Sequence, residues 1–341
     1  VLLLTPETIY EYIDLPNGAL EAFAESYECL AWFERARRDN DYLICVADAD
    51  YPKWTRRIVD QATRLLTIGR GDDKPTLSAA EQLLGQLPHP ELIPQQDLVL
   101  LHQRRDQLPR NTADWLKART VNRHHHIAVG HAADLARLSR HLRDKALGVV
   151  FGGGGMRGVA HAGVLKAMDE LGIEADLAGG TSAGSIVAAQ FGLEWSHQRI
   201  LQETEAKLMQ RSTVFQITFP YAALTTGKRL SQVYDEMFGG VEIEDLWKPI
   251  FTIASNLTQA RINIMDSGSL KLAVRASTSL AGIFPPTIDT NNDLLIDGGG
   301  FNNTPADVMR QKVGVGTVIA VDMGFTKRDR PTYNYGAHLN G

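Results

Sequence analysis

The sequence predicts an α/β protein built on parallel sheets with helices packed against them. Short apolar runs alternate along the chain with stretches of helical periodicity, an order typical of parallel sheets with covered faces. Two glycine-rich turns each follow an apolar run and precede a helix-like stretch. The chain has 341 residues, more than the roughly 100–200 residues of one typical domain. We therefore expect two domains.

Composition limits the classes of function. The hydrophobic content of 44% and charged content of 22% are typical of a globular protein, and a net charge of −5 argues against bulk nucleic-acid binding. Only Cys29 and Cys45 are present, which indicates a reducing compartment without a disulfide framework. No apolar run reaches the ~20 residues of a membrane-spanning helix. Because the chain starts at Val1 without a methionine, we expect a fragment of a longer protein.

The first predicted domain, residues 1–103, is a smaller Rossmann-like α/β module. Its expected strands lie at 1–5, 43–48, 65–69 and 98–101, and its helices at 19–38, 54–63 and 78–87. The nearest candidate for a phosphate-binding turn, residues 69–74, lacks the GK[ST] ending. A structural or regulatory role is therefore favoured over nucleotide binding.

Residues 104–145 are expected to form a basic, histidine-rich connector. Residues 101–145 hold ten Lys and Arg against four acids, a balance of +6, together with six histidines. One interpretation is a solvated linker, and a sharper one is docking on anionic lipid headgroups. A metal site at His124, His125 and His126 is disfavoured because no Cys or carboxylate lies at ligand spacing.

The second predicted domain, residues 146–341, begins with two strand–turn–helix units. The first has a strand at 147–151 and a helix that Gly172 ends, and the second has a strand at 176–179 and a helix at 186–193. The turn between the last two reads G-x-S-x-G, with Gly180 and Gly184 on either side of Ser182. This pattern exposes a nucleophilic hydroxyl at a helix N-terminus. Further strands are expected at 250–255, 262–265, 294–296 and 317–322.

The turn of the first unit has two interpretations. Consecutive backbone N–H groups and a nearby positive charge suit an oxyanion formed in acyl transfer. The candidate residues are Gly153, Gly154, Gly155 and Arg157. The same stretch also satisfies G-x-G-x-x-G through Gly158, and Asp176 follows at the spacing of a dinucleotide-binding site. Taken alone, the turn leaves both open.

A third element supplies a candidate base. The apolar strand at 294–296 ends in Asp297 and Gly298, and a carboxylate at a strand's end can reach a neighbouring loop and accept a proton. Two histidines were considered for a triad. His338 lies at the end of the chain, and His161 lies on the helix of the first turn, where packing is favoured. A dyad is therefore preferred.

Together, GGGMRG at 153–158, GTSAGS at 180–185 and DGG at 297–299 resemble the patatin-like phospholipases. Segments 220–224, 243–247, 255–258, 275–277 and 284–286 resemble the subgroup of neuropathy target esterase and the bacterial lysophospholipases, and Met156 and Ala281 depart from it. The resemblance implies a patatin-like three-layer hydrolase domain. It also implies Ser182 as nucleophile, Asp297 as general base, the glycine turn with Arg157 as oxyanion hole, and neither cofactor nor metal.

The implied function is a serine esterase that hydrolyses lysophospholipids and phospholipids. Alternatives are an acyltransferase using the same acyl-enzyme, a dinucleotide-binding protein, and an inactive lipid-binding module. The resemblance also implies a membrane-associated location on the cytoplasmic side, with cyclic-nucleotide-binding domains or an anchor elsewhere in the full-length protein. Residues 214–224 form an apolar stretch that suits an acyl channel, a mobile cover or ordinary core.

Overall fold

The structure is a computed structural model that describes residues 1–85, 95–209, 216–219 and 223–324, apart from the side chain of Leu83. The chain divides into two compact units, Val1–Leu135 and Ala136–Gly341. Each unit is described by itself.

The first unit contains two parallel sheets. Strands β1 (Leu2–Leu4) and β2 (Leu43–Cys45) pair with each other, and β3 (Arg64–Arg70), β4 (Gln95–His102) and β5 (Arg123–Ala128) lie side by side in that order. The helices are α1 (Ile9–Ile13), α2 (Leu20–Ala24), α3 (Tyr27–Asp39), α4 (Pro52–Gln61), α5 (Ala79–Leu84) and α6 (Thr112–Lys117).

The helix predicted at 19–38 is two helices, α2 and α3. Ser26 separates them because its hydroxyl accepts the N–H of Cys29 at 3.2 Å and so caps the start of α3. The core of the unit lies between α3 and α4, where the rings of Phe33 and Trp54 stack at 5.9 Å and are almost fully buried.

Residues 104–145 are folded and do not form the predicted connector. They include α6, β5 and α7 (Ala132–Leu142), and β5 pairs with β4 along its whole length. The division between the units falls after Leu135, whereas the sequence suggested boundaries at 103 and 145. His125 and His126 are buried in β5. Because neighbouring residues of a strand point to opposite faces, the three consecutive histidines cannot converge on one ion.

Several basic residues of this stretch pair with carboxylates. Arg119 pairs with Glu81 at 2.7 Å, and Arg140 pairs with Asp176 at 2.7 Å. Both partners lie outside the stretch, so a local charge balance overlooks them. Arg104, Arg105 and Lys117 also pair with carboxylates, and Arg137 is buried. The net charge of the stretch therefore overstates the number of unpaired basic groups, and docking on anionic headgroups stays a prediction.

The second unit is built on one mixed seven-stranded sheet in the order β10-β11-β8-β7-β6-β12, with β9 also paired to β8. The strands are β6 (Leu147–Phe151), β7 (Leu177–Thr181), β8 (Ile250–Asn256), β9 (Arg261–Met265), β10 (Thr287–Ile288), β11 (Leu294–Asp297) and β12 (Thr317–Val321). Strands β12, β6, β7 and β8 are parallel, whereas β9 and β11 are antiparallel to β8.

Helices account for much of the remainder of the second unit. They are α8 (Ala160–Glu170), α9 (Ala183–Gly192), α10 (His197–Leu208), α11 (Lys228–Phe238), α12 (Leu270–Ser277) and α13 (Ala306–Val313). Short 3-10 helices lie at Gly155–Val159, Ile243–Asp245 and Gly298–Gly300. Across the described ranges of both units, no helix combines the length and apolar character needed to cross a membrane.

Strands β7 and β11 meet end to end along β8. Strand β9 pairs with residues 252–256 of β8 and so occupies one edge. Strand β7 pairs with 250–253 and β11 with 254–256, so both lie on the other edge. Thr181 at the end of β7 lies opposite Ile253, and Asp297 at the end of β11 lies opposite Ala254. The carboxyl ends of two strands of opposite direction therefore converge on one point.

Candidate active site

Ser182 lies at this point, in the turn between β7 and α9. Its backbone angles are φ 53° and ψ −124°, a region that costs a residue with a side chain about 1–3 kcal/mol. The turn is held by Ser277, whose hydroxyl accepts the N–H of Ser182 at 3.0 Å and donates to the carbonyl of Ile253 at 2.6 Å. The strained turn is thus fixed to β8 and to the end of α12.

Glycines give this turn the space it needs. A Cβ on Gly180 would lie 2.2 Å from the carbonyl oxygen of Gly184, and a Cβ on Gly184 would lie 1.9 Å from that of Phe151. A Cβ on Gly298 would lie 2.2 Å from the oxygen of Ile253. Because all three contacts are with backbone, these positions accept no larger residue without a shift of the sheet.

Asp297 contacts the hydroxyl of Ser182. Ser182 Oγ donates to Asp297 Oδ2 at 2.7 Å, although the two residues lie 115 positions apart. Asp297 Oδ1 accepts the N–H of Gly299 at 2.8 Å, and the N–H of Asp297 donates to the carbonyl of Ser279 at 2.9 Å. Asp297 as a whole residue is only 7% exposed. Burial raises the pKa of Asp297, against the opposing effect of its hydrogen bonds from Ser182 and Gly299. A raised pKa makes the carboxylate a stronger base.

The glycine turn after β6 lies against Ser182. A Cβ on Gly153 would come within 3.1 Å of Cβ of Ser182, so the absence of a side chain allows this approach. The N–H of Gly153 is already used, because it donates to the carbonyl of Asn303 at 3.0 Å. Within the described part of the chain, no acceptor takes the N–H of Gly154 or Gly155. The N–H groups of Gly154 and Gly155 are therefore available to a ligand, whereas that of Gly153 is occupied.

Arg157 forms hydrogen bonds with the same turn. Its Nε donates to the carbonyl of Gly154 at 3.3 Å, and its backbone N–H donates to the same oxygen at 3.2 Å. The guanidinium is exposed, so solvent weakens its direct effect on an oxyanion. Its structural contact with the turn is the better-defined role.

His161 is a packing residue and not a base. It is fully buried, and its Nε2 lies 2.8 Å from the carbonyl of Gly152. Burial lowers its pKa, so the ring is neutral and Nε2 carries the proton that this hydrogen bond needs. His338, the other histidine considered, lies outside the described residues.

Two family models together cover residues 1–310 of the chain. The patatin-like phospholipase model matches residues 149–310, and the Neuropathy Target Esterase family P-loop like domain matches residues 1–150. Residues 149–310 thus form a patatin-like phospholipase domain. It is 33% identical over its full length to patatin-like phospholipase domain-containing protein 7 of Rattus norvegicus and to neuropathy target esterase sws of Drosophila melanogaster. Over 96% of its length it is 33% identical to patatin-like phospholipase domain-containing protein 6 of Homo sapiens.

The chain spans about a quarter of the length of these relatives, 26–27%. A solved structure, VipD from Legionella pneumophila, matches 46% of each chain with a TM-score of 0.31 and 14% identity, too low to support an argument. The resemblance inferred from the three motifs and the fold class are confirmed, and the N-terminal family match agrees with a smaller α/β domain.

The site of this patatin-like domain does not fit a dinucleotide. A dinucleotide-binding fold needs a carboxylate free to bind a ribose hydroxyl, and Asp176 is fully buried. Its oxygens accept two donors of Arg140 at 2.7–3.1 Å and the N–H of Leu147 at 2.9 Å. The acidic residue that completes the fingerprint is therefore already occupied.

Three residues of the site were not predicted from the sequence: Ser277, Ser279 and Asn303. The run 276–279, ASTS, and the pair Asn302-Asn303 carry no local pattern that identifies a partner. Their contacts depend on the end-to-end arrangement of β7 and β11.

The apolar stretch 214–224 is described only in part, because residues 214–215 and 220–222 lie outside the described ranges. Ile217 and Phe219 are 85% and 73% exposed. Ile217 forms a bridge with Thr225, and Ala223 forms one with Gly282. The described part thus presents two exposed apolar side chains, Ile217 and Phe219, whereas Ala223 is buried.

Proposed function

We propose that this domain is a serine esterase that hydrolyses the acyl ester of lysophospholipids and phospholipids through a Ser182–Asp297 dyad. The observation that carries the proposal is the 2.7 Å hydrogen bond from Ser182 Oγ to Asp297 Oδ2. It lies at a strained strand-to-helix turn beside the two unoccupied N–H groups of the glycine turn. A nucleophile, a base and oxyanion donors are the parts that acyl transfer requires.

The reaction proceeds in two halves. Ser182 Oγ attacks the ester carbonyl as its proton passes to Asp297, and the N–H groups of Gly154 and Gly155 stabilise the resulting oxyanion. When the tetrahedral intermediate collapses, the ester C–O bond breaks and the alcohol leaves with the proton from Asp297. Water then attacks the acyl-enzyme with Asp297 again accepting the proton. The bond between the acyl carbon and Ser182 Oγ breaks as Asp297 returns this proton to Oγ, which releases the fatty acid.

The substrate class rests on the family match and on the surface beside the site. The relatives that match the whole chain are named patatin-like phospholipase and neuropathy target esterase. The exposed side chains of Ile217 and Phe219 offer apolar contact to a lipid chain or to a membrane surface. We further propose that the domain acts peripherally at the cytoplasmic face of a membrane, within a longer protein that carries cyclic-nucleotide-binding domains.

The test is covalent labelling with a fluorophosphonate, followed by peptide mapping, on wild type, Ser182→Ala and Asp297→Asn. We expect stoichiometric attachment at Ser182, none in Ser182→Ala, and a rate at least about 100-fold lower in Asp297→Asn. Ser196→Ala is the matched control, because Ser196 caps α10 by accepting the N–H of Arg199 at 3.2 Å. A folded wild type that does not label, or labels elsewhere, contradicts the dyad.

Substrate class is tested separately. Release of fatty acid from lysophosphatidylcholine, diacylphosphatidylcholine and a short water-soluble ester is measured with the same variants. Hydrolysis of only the soluble ester would contradict the lipid assignment while leaving the dyad intact. Transfer of the acyl group to an added alcohol, with little free acid, would identify an acyltransferase.

A further inference from the structure

Side chains hold the glycine turn after β6 through hydrogen bonds to its carbonyl groups. The carbonyl of Gly153 and the N–H of Gly154 belong to one planar peptide and point in opposite directions. Asn303 Nδ2 donates to the carbonyl oxygen of Gly153 at 3.1 Å. The carbonyl of Gly154 is held in the same way by Arg157 at 3.3 Å, which directs the N–H of Gly155. Each side chain therefore fixes the direction of one donor.

The turn needs this restraint because it consists of glycines. Gly154 has φ −166° and ψ 9°, and Gly155 has φ 56°. Glycine occupies positive and negative φ with similar ease, so the peptide between Gly153 and Gly154 can rotate at little steric cost. Rotation would reverse the direction of the Gly154 N–H and put the carbonyl oxygen of Gly153 on the side that this N–H now faces, where it would repel an oxyanion.

We propose that Asn303 is a positioning residue that keeps the N–H of Gly154 directed at the oxyanion, an inference that rests on the proposed esterase function. Asn303 holds Gly153 at two points, since its backbone carbonyl accepts the N–H of Gly153 at 3.0 Å and its amide donates to the carbonyl. Its amide also lies near Gly299, the glycine whose N–H donates to the base. A Cβ on Gly299 would be 3.0 Å from both Asn303 Oδ1 and Asp297 Oδ1.

The inference makes a specific kinetic prediction for Asn303→Ala. Because oxyanion donors act in the transition state more than on the bound ester, kcat falls about 10- to 100-fold while KM changes little. This lies below the roughly 10²–10³-fold cost of deleting a donor, since the N–H remains but is misdirected for part of the time. Asn303→Asp loses more than Asn303→Ala, because a carboxylate cannot donate to the carbonyl of Gly153 and repels it.

Asn302→Ala is the matched control. The neighbouring amide donates to Asp307 Oδ1 at 2.8 Å and does not contact the turn. Asn303 is exposed, so its replacement removes little packing, and thermal unfolding checks that all variants remain folded. A trifluoromethyl ketone, which forms an oxyanion-bearing adduct with the serine, gives a second readout. Its inhibition constant rises in Asn303→Ala by the factor by which kcat/KM falls, and is unchanged in Asn302→Ala.

Two results would overturn the inference while the esterase stands. One is an active wild type whose kcat and ketone affinity match those of Asn303→Ala. The other is a loss in Asn303→Ala that appears in KM alone, which would make the side chain a substrate contact. A folded wild type that neither hydrolyses esters nor labels would overturn the proposed function and, with it, the role of Asn303.

Discussion

Replacing Ser277 with alanine tests how the strained turn at Ser182 is maintained. Ser277 is fully buried and makes two hydrogen bonds through one hydroxyl, from the N–H of Ser182 at 3.0 Å and to the carbonyl of Ile253 at 2.6 Å. Each contributes about 1 kcal/mol, and a buried group left without a partner adds to the cost. We expect the free energy of unfolding to fall by about 2–3 kcal/mol.

Activity should fall as well. The backbone of Ser182 stores about 1–3 kcal/mol of strain. Without the hydrogen bonds of Ser277, a relaxed conformation of the turn, in which Ser182 is misplaced, becomes favoured by that amount. One kcal/mol corresponds to about 5-fold and three to about 150-fold in rate. The rate of fluorophosphonate labelling of Ser182 should therefore drop by about 5- to 150-fold. It is measured without denaturant, on protein shown to be folded.

Ser196→Ala separates this effect from a general loss of stability. Its cap on α10 is worth about 1 kcal/mol, and it should lower the urea midpoint while leaving the labelling rate unchanged. The reasoning is refuted if Ser277→Ala is folded and labels at the wild-type rate, or if the two variants lose activity in proportion to their lost stability.

Three further predictions follow from burial and contact. Since burial raises the pKa of Asp297 and only its ionised form is a base, kcat/KM should rise with pH through a pKa above that of an ordinary carboxyl. A raised pKa of Asp297 also stabilises the fold at pH values below the unfolded-state pKa, and this stabilisation is lost as the pH rises through the folded-state pKa. Asp297→Asn should therefore have a higher free energy of unfolding than wild type at neutral pH. In urea titrations, the difference between the two proteins should shrink as the pH is lowered. Gly184→Ala, whose Cβ would lie 1.9 Å from a backbone oxygen of β6, should yield little folded protein by circular dichroism, whereas Gly163→Ala in α8, with nothing within 4 Å, should be neutral or up to about 1 kcal/mol more stable. Arg140→Ala leaves the fully buried Asp176 without its ion pair and should cost about 3 kcal/mol in urea unfolding; a loss below 1 kcal/mol would contradict this.

The parts of the site that the sequence predicts are those with a local steric requirement. The turn at Ser182 needs small neighbours, and Gly180 and Gly184 supply them within the same five residues. Asp297 could be recognised because it ends an apolar strand just before glycines. In each case the signal and the constraint lie within one short segment.

The parts that could not be predicted depend on pairing between distant segments. Asn303 acts on a turn 150 positions earlier, and Ser277 on one 95 positions earlier, with no pattern linking them. The same reason explains the error over residues 104–145. Arg119 pairs with Glu81, 38 positions earlier, so the charges along this segment do not reveal which of its basic residues have a carboxylate partner.

Because β7 and β11 meet end to end, the reactivity of Ser182 can report when the central sheet forms during folding. Neither strand pairs with the other along its length, so only β8 can bring their ends together. A refolding chain can form β6 and β7 early, yet Ser182 remains unreactive until β8 and β11 have docked. Pulses of fluorophosphonate during refolding would therefore mark the moment at which the central sheet closes. We expect that closure to be a late step, because it joins residues 115 positions apart.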